Sequence, residues 1–434
     1  MHTNAPKLPA NLSRREVLKN GFASMAVLSS GSLLSACHSD SNISPVSQSN
    51  IGNVGPLSGT PDENGFFLPD GFTSRLLAKT GQLPVSSSTY NWHALPDGGA
   101  TFATPEGGWI YASNSENPAG TAGVGALEFD ASGELIDAFS LLNGTTKNCA
   151  GGLTPWDTWL SCEEFDAGRV WETFPLERGA RPGIVHDGLG VFQHEAAAVD
   201  PATGMVYMTE DRMDGCLYRF VPVVRGDLSR GVLQAALTET VDSNGLAQEG
   251  PVSWVDVPDP SAATVSTRAQ AQALGAAIFV RGEGAWFSNG VLYISTTGDS
   301  FGGGEIWAYT PDASEDTGVI NQLYNRVDLY PDDTSLNGID NITVSAGGDV
   351  IIAEDTDDMQ IQALTPAGVL LPLLQLTGHT LTSPFVIPGE FTGPAFDPSG
   401  TRLYFSSQRG SNADYISNGF ATGATYVVSG PFTV

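Results

Sequence analysis

Positive charge is scarce in this chain of 434 residues: Lys and Arg together number 19, against 48 Asp and Glu, for a net charge of −29. So few cations cannot make the basic face that phosphate backbones or anionic lipid surfaces require, which argues against nucleic acid as a partner. Cysteine and histidine are also sparse, at four and six. No Cys-x-x-Cys pair and no His-Glu-x-x-His string occurs, so ordinary zinc chemistry lacks support. No stretch keeps a helical period for long, and charged residues make up only 15%. What is abundant is turn chemistry, with 51 Gly and 27 Pro, the composition of one large all-β domain.

Six short apolar segments punctuate that background, and each ends in polar or acidic residues. They are residues 109–116, 159–164, 206–211, 291–296, 350–355 and 402–407, ending for example in Cys162-Glu163-Glu164, Glu210-Asp211 and Glu354-Asp355. A turn signal precedes each one, such as Gly107-Gly108, Asn289-Gly290 or Ser399-Gly400. Hairpins repeated in this way read as the blades of a six-bladed β-propeller. In an antiparallel hairpin the start of the first strand and the end of the second share one side. Polar starts therefore join the acidic ends at one mouth: Asn91 and His93, Asn148-Cys149, His194-Glu195, Arg281 with Glu283, Asp340-Asn341, and Glu390. Carboxylates crowded together in this manner are stable when cations neutralise them, so the mouth is expected to hold metal ions. The long interval between Val206 and Val291, with an Ala-rich piece at Thr267–Ala277, is expected to be an insertion on one blade.

The first 36 residues read as an export address. Arg14-Arg15 is a twin-arginine pair, a small-residue apolar stretch from Gly21 to Leu34 is too short to span a bilayer, and Leu34-Ser35-Ala36-Cys37 resembles a bacterial lipoprotein cleavage box. The expected division is a leader over 1–36, a lipidated Cys37 with a flexible tether over 37–65, and a catalytic propeller over 66–434. Export by the twin-arginine machinery would leave the chain on the periplasmic side of a bacterial membrane, held only by lipid on Cys37. Three other cysteines remain, Cys149, Cys162 and Cys216. The odd number leaves at least one unpaired in an oxidising compartment. Cys162, at a strand end beside two glutamates, is the thiol expected to ligate a metal.

Two other strings carry little. Gly298-Asp299-Ser300-Phe301-Gly302 matches the nucleophile elbow, but no helix follows it as that elbow requires. Asp355-Thr356-Asp357-Asp358 lacks the rest of a calcium-binding helix–loop–helix pattern.

The run Asn148-Cys149-Ala150-Gly151-Gly152-Leu153-Thr154-Pro155-Trp156-Asp157-Thr158-Trp159-Leu160-Ser161-Cys162-Glu163-Glu164 resembles the hallmark of the PhoX-type alkaline phosphatases. His194 to Asp200, Arg281 to Gly284, Asp340 to Val344 and Glu390 to Pro394 are similar to further blocks in the same order. The resemblance implies a six-bladed propeller hydrolysing phosphate monoesters without a nucleophilic serine, with iron and calcium ions at its mouth. It implies Cys162, Glu164, Glu195, Glu283, Asp340 and Glu354 as metal ligands and Arg281 and Glu283 as catalytic. Arg281 and Asn114 would contact the substrate; Asn114-Ser115-Glu116 stands where larger members carry Asn-His-Glu. A monomer acting on small phosphate esters is expected. Two alternatives stay open from the residues: a calcium-dependent propeller hydrolase of another kind, such as a lactonase, and a non-enzymatic propeller that binds an envelope component.

Overall fold

In the computed structural model, residues 51–298, 304–330, 335–356, 358–379, 389–414 and 421–432 are described. The leader, Cys37, the first part of the tether and most of the Gly298–Gly302 string lie outside them.

The chain folds as an all-β propeller of six blades. Blade 1 comprises Pro96–Ala103, Trp109–Ser115, Ala122–Phe129 and Leu135–Thr145. Blade 2 comprises Asn148–Leu153, Trp159–Glu163, Val170–Thr173 and Ile184–Val185. Blade 3 is His194–Val199, Val206–Glu210, Tyr218–Val224 and Asp227–Thr238, and blade 4 is Gly282–Ser288, Val291–Thr296, Glu305–Pro311 and Thr317–Asn325. An added strand, Gly250–Asp256, pairs with the outer strands of both, so these two blades form one nine-stranded sheet. Blade 5 is Ile339–Val344, Val350–Glu354, Gln360–Leu364 and Leu370–Leu376, edged by Phe66–Phe67. Blade 6 takes Phe391–Phe396, Arg402–Ser407 and Ala424–Ser429 from the end of the chain and Thr73–Lys79 from its beginning. The first strands of blades 1 to 6 touch in cyclic order, and blade 6 meets blade 1, closing the ring.

All six apolar segments read from the sequence are second strands of blades. They lack clean alternation because a propeller blade is covered on both faces, so both sets of side chains are apolar. Six hydrophobic clusters among the described residues fill the six gaps between blades. The interval after Val206 holds the long outer hairpin, the added strand and a short helix, Thr267–Ala273, whose N-cap Ser266 accepts a hydrogen bond from the Ala269 amide.

Near the axis the blades meet backbone to backbone, which explains inner strands rich in small residues, such as Ala150-Gly151-Gly152 and Ala196-Ala197-Ala198. A Cβ built on Gly152 would lie 1.4 Å from the carbonyl oxygen of Ala197 on the next blade. Neither atom belongs to a side chain that can rotate away. Gly152→Ala is accordingly expected to cost about 3 kcal/mol or more, read as a fall in the thermal unfolding midpoint; an unchanged midpoint would refute this close packing.

Candidate active site

Each inner strand carries a β-bulge one or two residues in, where its pairing with the second strand shifts register. A bulge re-aims the side chains beside it. The second residues of the first five inner strands are Asp97, Cys149, Glu195, Glu283 and Asp340, all buried. Cys149, Glu164 and Glu195 bring potential ligand atoms within 4.8 Å of one another, as do Glu195, Glu283 and Asp340. Glu195 belongs to both groups. Blades 2, 3, 4 and 5 thus converge on one continuous centre.

A second ring of residues comes from the positions just after the second strands: Glu116, Glu164, Asp211, Thr297, Asp355 and Gln408. Thr297 donates its hydroxyl to Glu283 at 2.5 Å. The Gln408 amide nitrogen donates among three carboxylates, to Asp97 at 2.8 Å, Glu116 at 3.1 Å and Glu390 at 3.2 Å. Three cations interleave with these acids. Arg281 donates from Nε and Nη2 to the two oxygens of Asp211, at 2.8 and 3.0 Å, and Nη2 lies 3.0 Å from Glu283. Lys147 bridges Glu116 and Glu164, and Arg409 bridges Asp355 and Glu390.

Burial and mutual repulsion together resist ionisation of the acids. Burial, then Glu116, pushes Glu164 up to about 8. Burial, then Asp355, pushes Asp340 up to about 7. Glu195 and Glu283 rise well above the carboxylate range, the first through burial and then Glu283, the second through burial and then Asp211. One oxygen of Glu195 is buried without a hydrogen-bond partner among the described residues. A buried carboxylate oxygen left in that state normally costs several kcal/mol, about 1–3 or more, and a cation satisfies it. The donor set therefore fits bound metal.

Of the residues proposed from sequence, the fold brings Glu164, Glu195, Glu283 and Asp340 together, with Arg281 against Glu283. Three others lie elsewhere. Cys162 is fully buried in the apolar cluster between blades 2 and 3, beside Leu160 and Val170. It shares the parity of Leu160 along its strand, and so faces the gap rather than the mouth. Cys149 is the thiol at the centre, and it donates to Asp97 at 3.5 Å. Asn114 is fully buried and saturated: its amide donates to the carbonyls of Cys149 and Ala150, and its oxygen accepts from Trp159 and Ser161. With no polar atom left over, it ties blade 1 to blade 2 and does not face substrate. Glu354 turns back into its own blade, accepting from the amides of Asn337 and Gln360 and the side chain of Gln362.

Glu163 and Glu210 do the same at their strand ends. In each acidic pair the first residue satisfies backbone and the second reaches the mouth. Asp97, Gln408 and Arg409 were not singled out from sequence, Asp211 reads there only as an acidic strand end, and His93 is held against Tyr90 and Ser113 instead of opening a blade. The signal that finds Asp97 and Cys149 is the run of small residues immediately following each.

The family model for the alkaline phosphatase PhoX matches residues 118–178 and 165–410. Among solved structures, PhoX of Pseudomonas fluorescens in complex with vanadate, a transition state analogue, superposes with a TM-score of 0.71 at 17% identity, covering 89% of this chain and 98% of that one. A gluconolactonase of Xanthomonas campestris gives a TM-score of 0.43 at 12% identity, over 87% of this chain and 99% of that one. No curated protein matches the chain.

Proposed function

Because this chain belongs to the alkaline phosphatase PhoX family and is a phosphatase, we propose that it is an exported, metal-dependent hydrolase of phosphate monoesters. The observation that carries this reading is the pair of ligand groups sharing Glu195. Their chemistry differs. A thiol with two carboxylates, Cys149, Glu164 and Glu195, suits a transition ion such as iron, whereas the all-oxygen set Glu195, Glu283 and Asp340 suits calcium. Cations held there would supply charge neutralisation and Lewis acidity to the phosphoryl group.

The chain's own residues supply the rest. Arg281 is fixed by its two bonds to Asp211, and these contacts leave its Nη1 for an oxygen of the transferring group. Glu283 is held by Thr297 and Arg281, so its carboxylate is oriented before substrate arrives. The lactonase and non-enzymatic alternatives have no comparable support.

We also propose the export route read from the N-terminus: a twin-arginine leader over 1–36, lipid on Cys37, a tether to residue 65, and a monomeric catalytic propeller over 66–434 on the periplasmic side. The test uses natively exported protein. Phosphate release from an aryl phosphate monoester should stop on chelation, return with added calcium, and be inhibited by vanadate. Elemental analysis should find iron and calcium. Turnover that survives complete removal of metal would overturn the proposal.

A further inference from the structure

The six-fold repeat gives Arg281 a structural counterpart. Lys147 stands at the same place in blade 2 that Arg281 holds in blade 4, immediately before the inner strand. Both adopt the left-handed backbone conformation, at φ 46° and 53°. Both are fixed by the same two backbone bonds. The carbonyl of Lys147 accepts from the amide of Glu164 at 2.8 Å, and that of Arg281 from the amide of Thr297 at 3.0 Å. Their amides donate at 2.8 Å to the preceding blade, to Asn117 and Arg212. The same conformation and carbonyl bond recur at Leu95 in blade 1 and Gly338 in blade 5, at φ 47° and 54°, so they belong to the repeat and fix where the backbone enters the mouth; what sets Lys147 and Arg281 apart is the cation each carries there.

Blades 2 and 4 flank blade 3, whose Glu195 belongs to both ligand groups. Lys147 and Arg281 therefore stand on either side of the centre. The Lys147 ammonium lies 3.4 Å from Glu116 and 3.6 Å from Glu164, and its side chain is 43% exposed. These are loose contacts beside the tighter ones of Arg281, so the ammonium can turn toward an arriving anion at little cost. A phosphate monoester is a dianion entering an acidic mouth, and Arg281, itself paired with Asp211 and Glu283, meets it from one side only.

Building on the phosphatase reading, we propose that Lys147 is a second phosphate-binding residue, engaging the substrate's phosphoryl oxygens from the side of the centre away from Arg281. A charge-assisted hydrogen bond of this kind changes affinity about tenfold. In Lys147→Gln, KM for an aryl phosphate monoester and the inhibition constant of inorganic phosphate should both rise about tenfold, with kcat changed by less than about threefold. Lys147→Arg should restore most of both. Iron and calcium content should stay at the wild-type level. Unchanged KM and phosphate inhibition in Lys147→Gln would overturn the proposal, and so would a fall in metal content, which would assign Lys147 to the ion site. An inactive wild-type protein would instead strike the phosphatase reading itself.

Discussion

Cys149→Ser is expected to abolish phosphatase turnover, lowering kcat/KM on the order of 100-fold or more, with loss of the transition ion from the purified protein. Cys162→Ala is expected to leave both intact and to lower stability by about 1–2 kcal/mol. The contrast follows from where the two thiols sit. Cys149 has Glu164 and Glu195 within ligand distance and an acidic neighbour, Asp97, on its sulfur. Cys162 has only the apolar filling of a gap between blades. Burial and nearby acids push both thiols above their ordinary range, so neither is a free thiolate without a cation beside it. Only Cys149 has the place for one. Metal content and turnover of the two variants, measured side by side, decide the assignment; activity lost in Cys162→Ala but kept in Cys149→Ser would reverse it.

The second large effect is a change in the sign of pH dependence. In chelated protein Glu164, Glu195, Glu283 and Asp340 all prefer the protonated form, chiefly through burial. Folding therefore takes up protons that the unfolded chain releases above about pH 4. The stability this contributes is fully present below that pH. It is lost as pH rises through the folded values, about 7 for Asp340 and about 8 for Glu164. Each unit of displacement is worth about 1.4 kcal/mol, so the cluster's loss between pH 5 and 9 is on the order of several kcal/mol. Bound cations reverse the slope, because metal binds the deprotonated carboxylates and expels their protons. Thermal unfolding across this range, with chelator and with calcium, should give curves that diverge as pH rises. Parallel curves would show that the carboxylates do not bind the ions.

The ring was legible because each blade repeats one apolar second strand after one turn, and that repetition survives wide variation in the outer strands. The mouth was legible as a list of acidic strand ends, but not residue by residue. In Glu163-Glu164, Glu210-Asp211 and Glu354-Asp355 both members are acidic, and sequence alone does not say which satisfies backbone and which faces the centre. Simple alternation fails as well, since every inner strand has a bulge at the point where facing must be decided. The doubled acids explain why the sequence points to Glu354 for the mouth that Asp355 reaches, and the bulge explains why it passes over Cys149; Cys162 itself follows plain alternation into the gap with Leu160. Asn114 misled for another reason: a buried amide with four partners has the same letter as one that greets a ligand.

The seam in blade 6 has a consequence for assembly. Thr73–Lys79 can dock on Ala424–Ser429 only after the final strand has been synthesised. Until that zip closes, Gln408 has no fixed distance to Asp97 and Glu116, and one side of the mouth stays undefined. Half-made chains on the ribosome therefore lack a closed ring, and the wall of the mouth between blades 6 and 1 is set last.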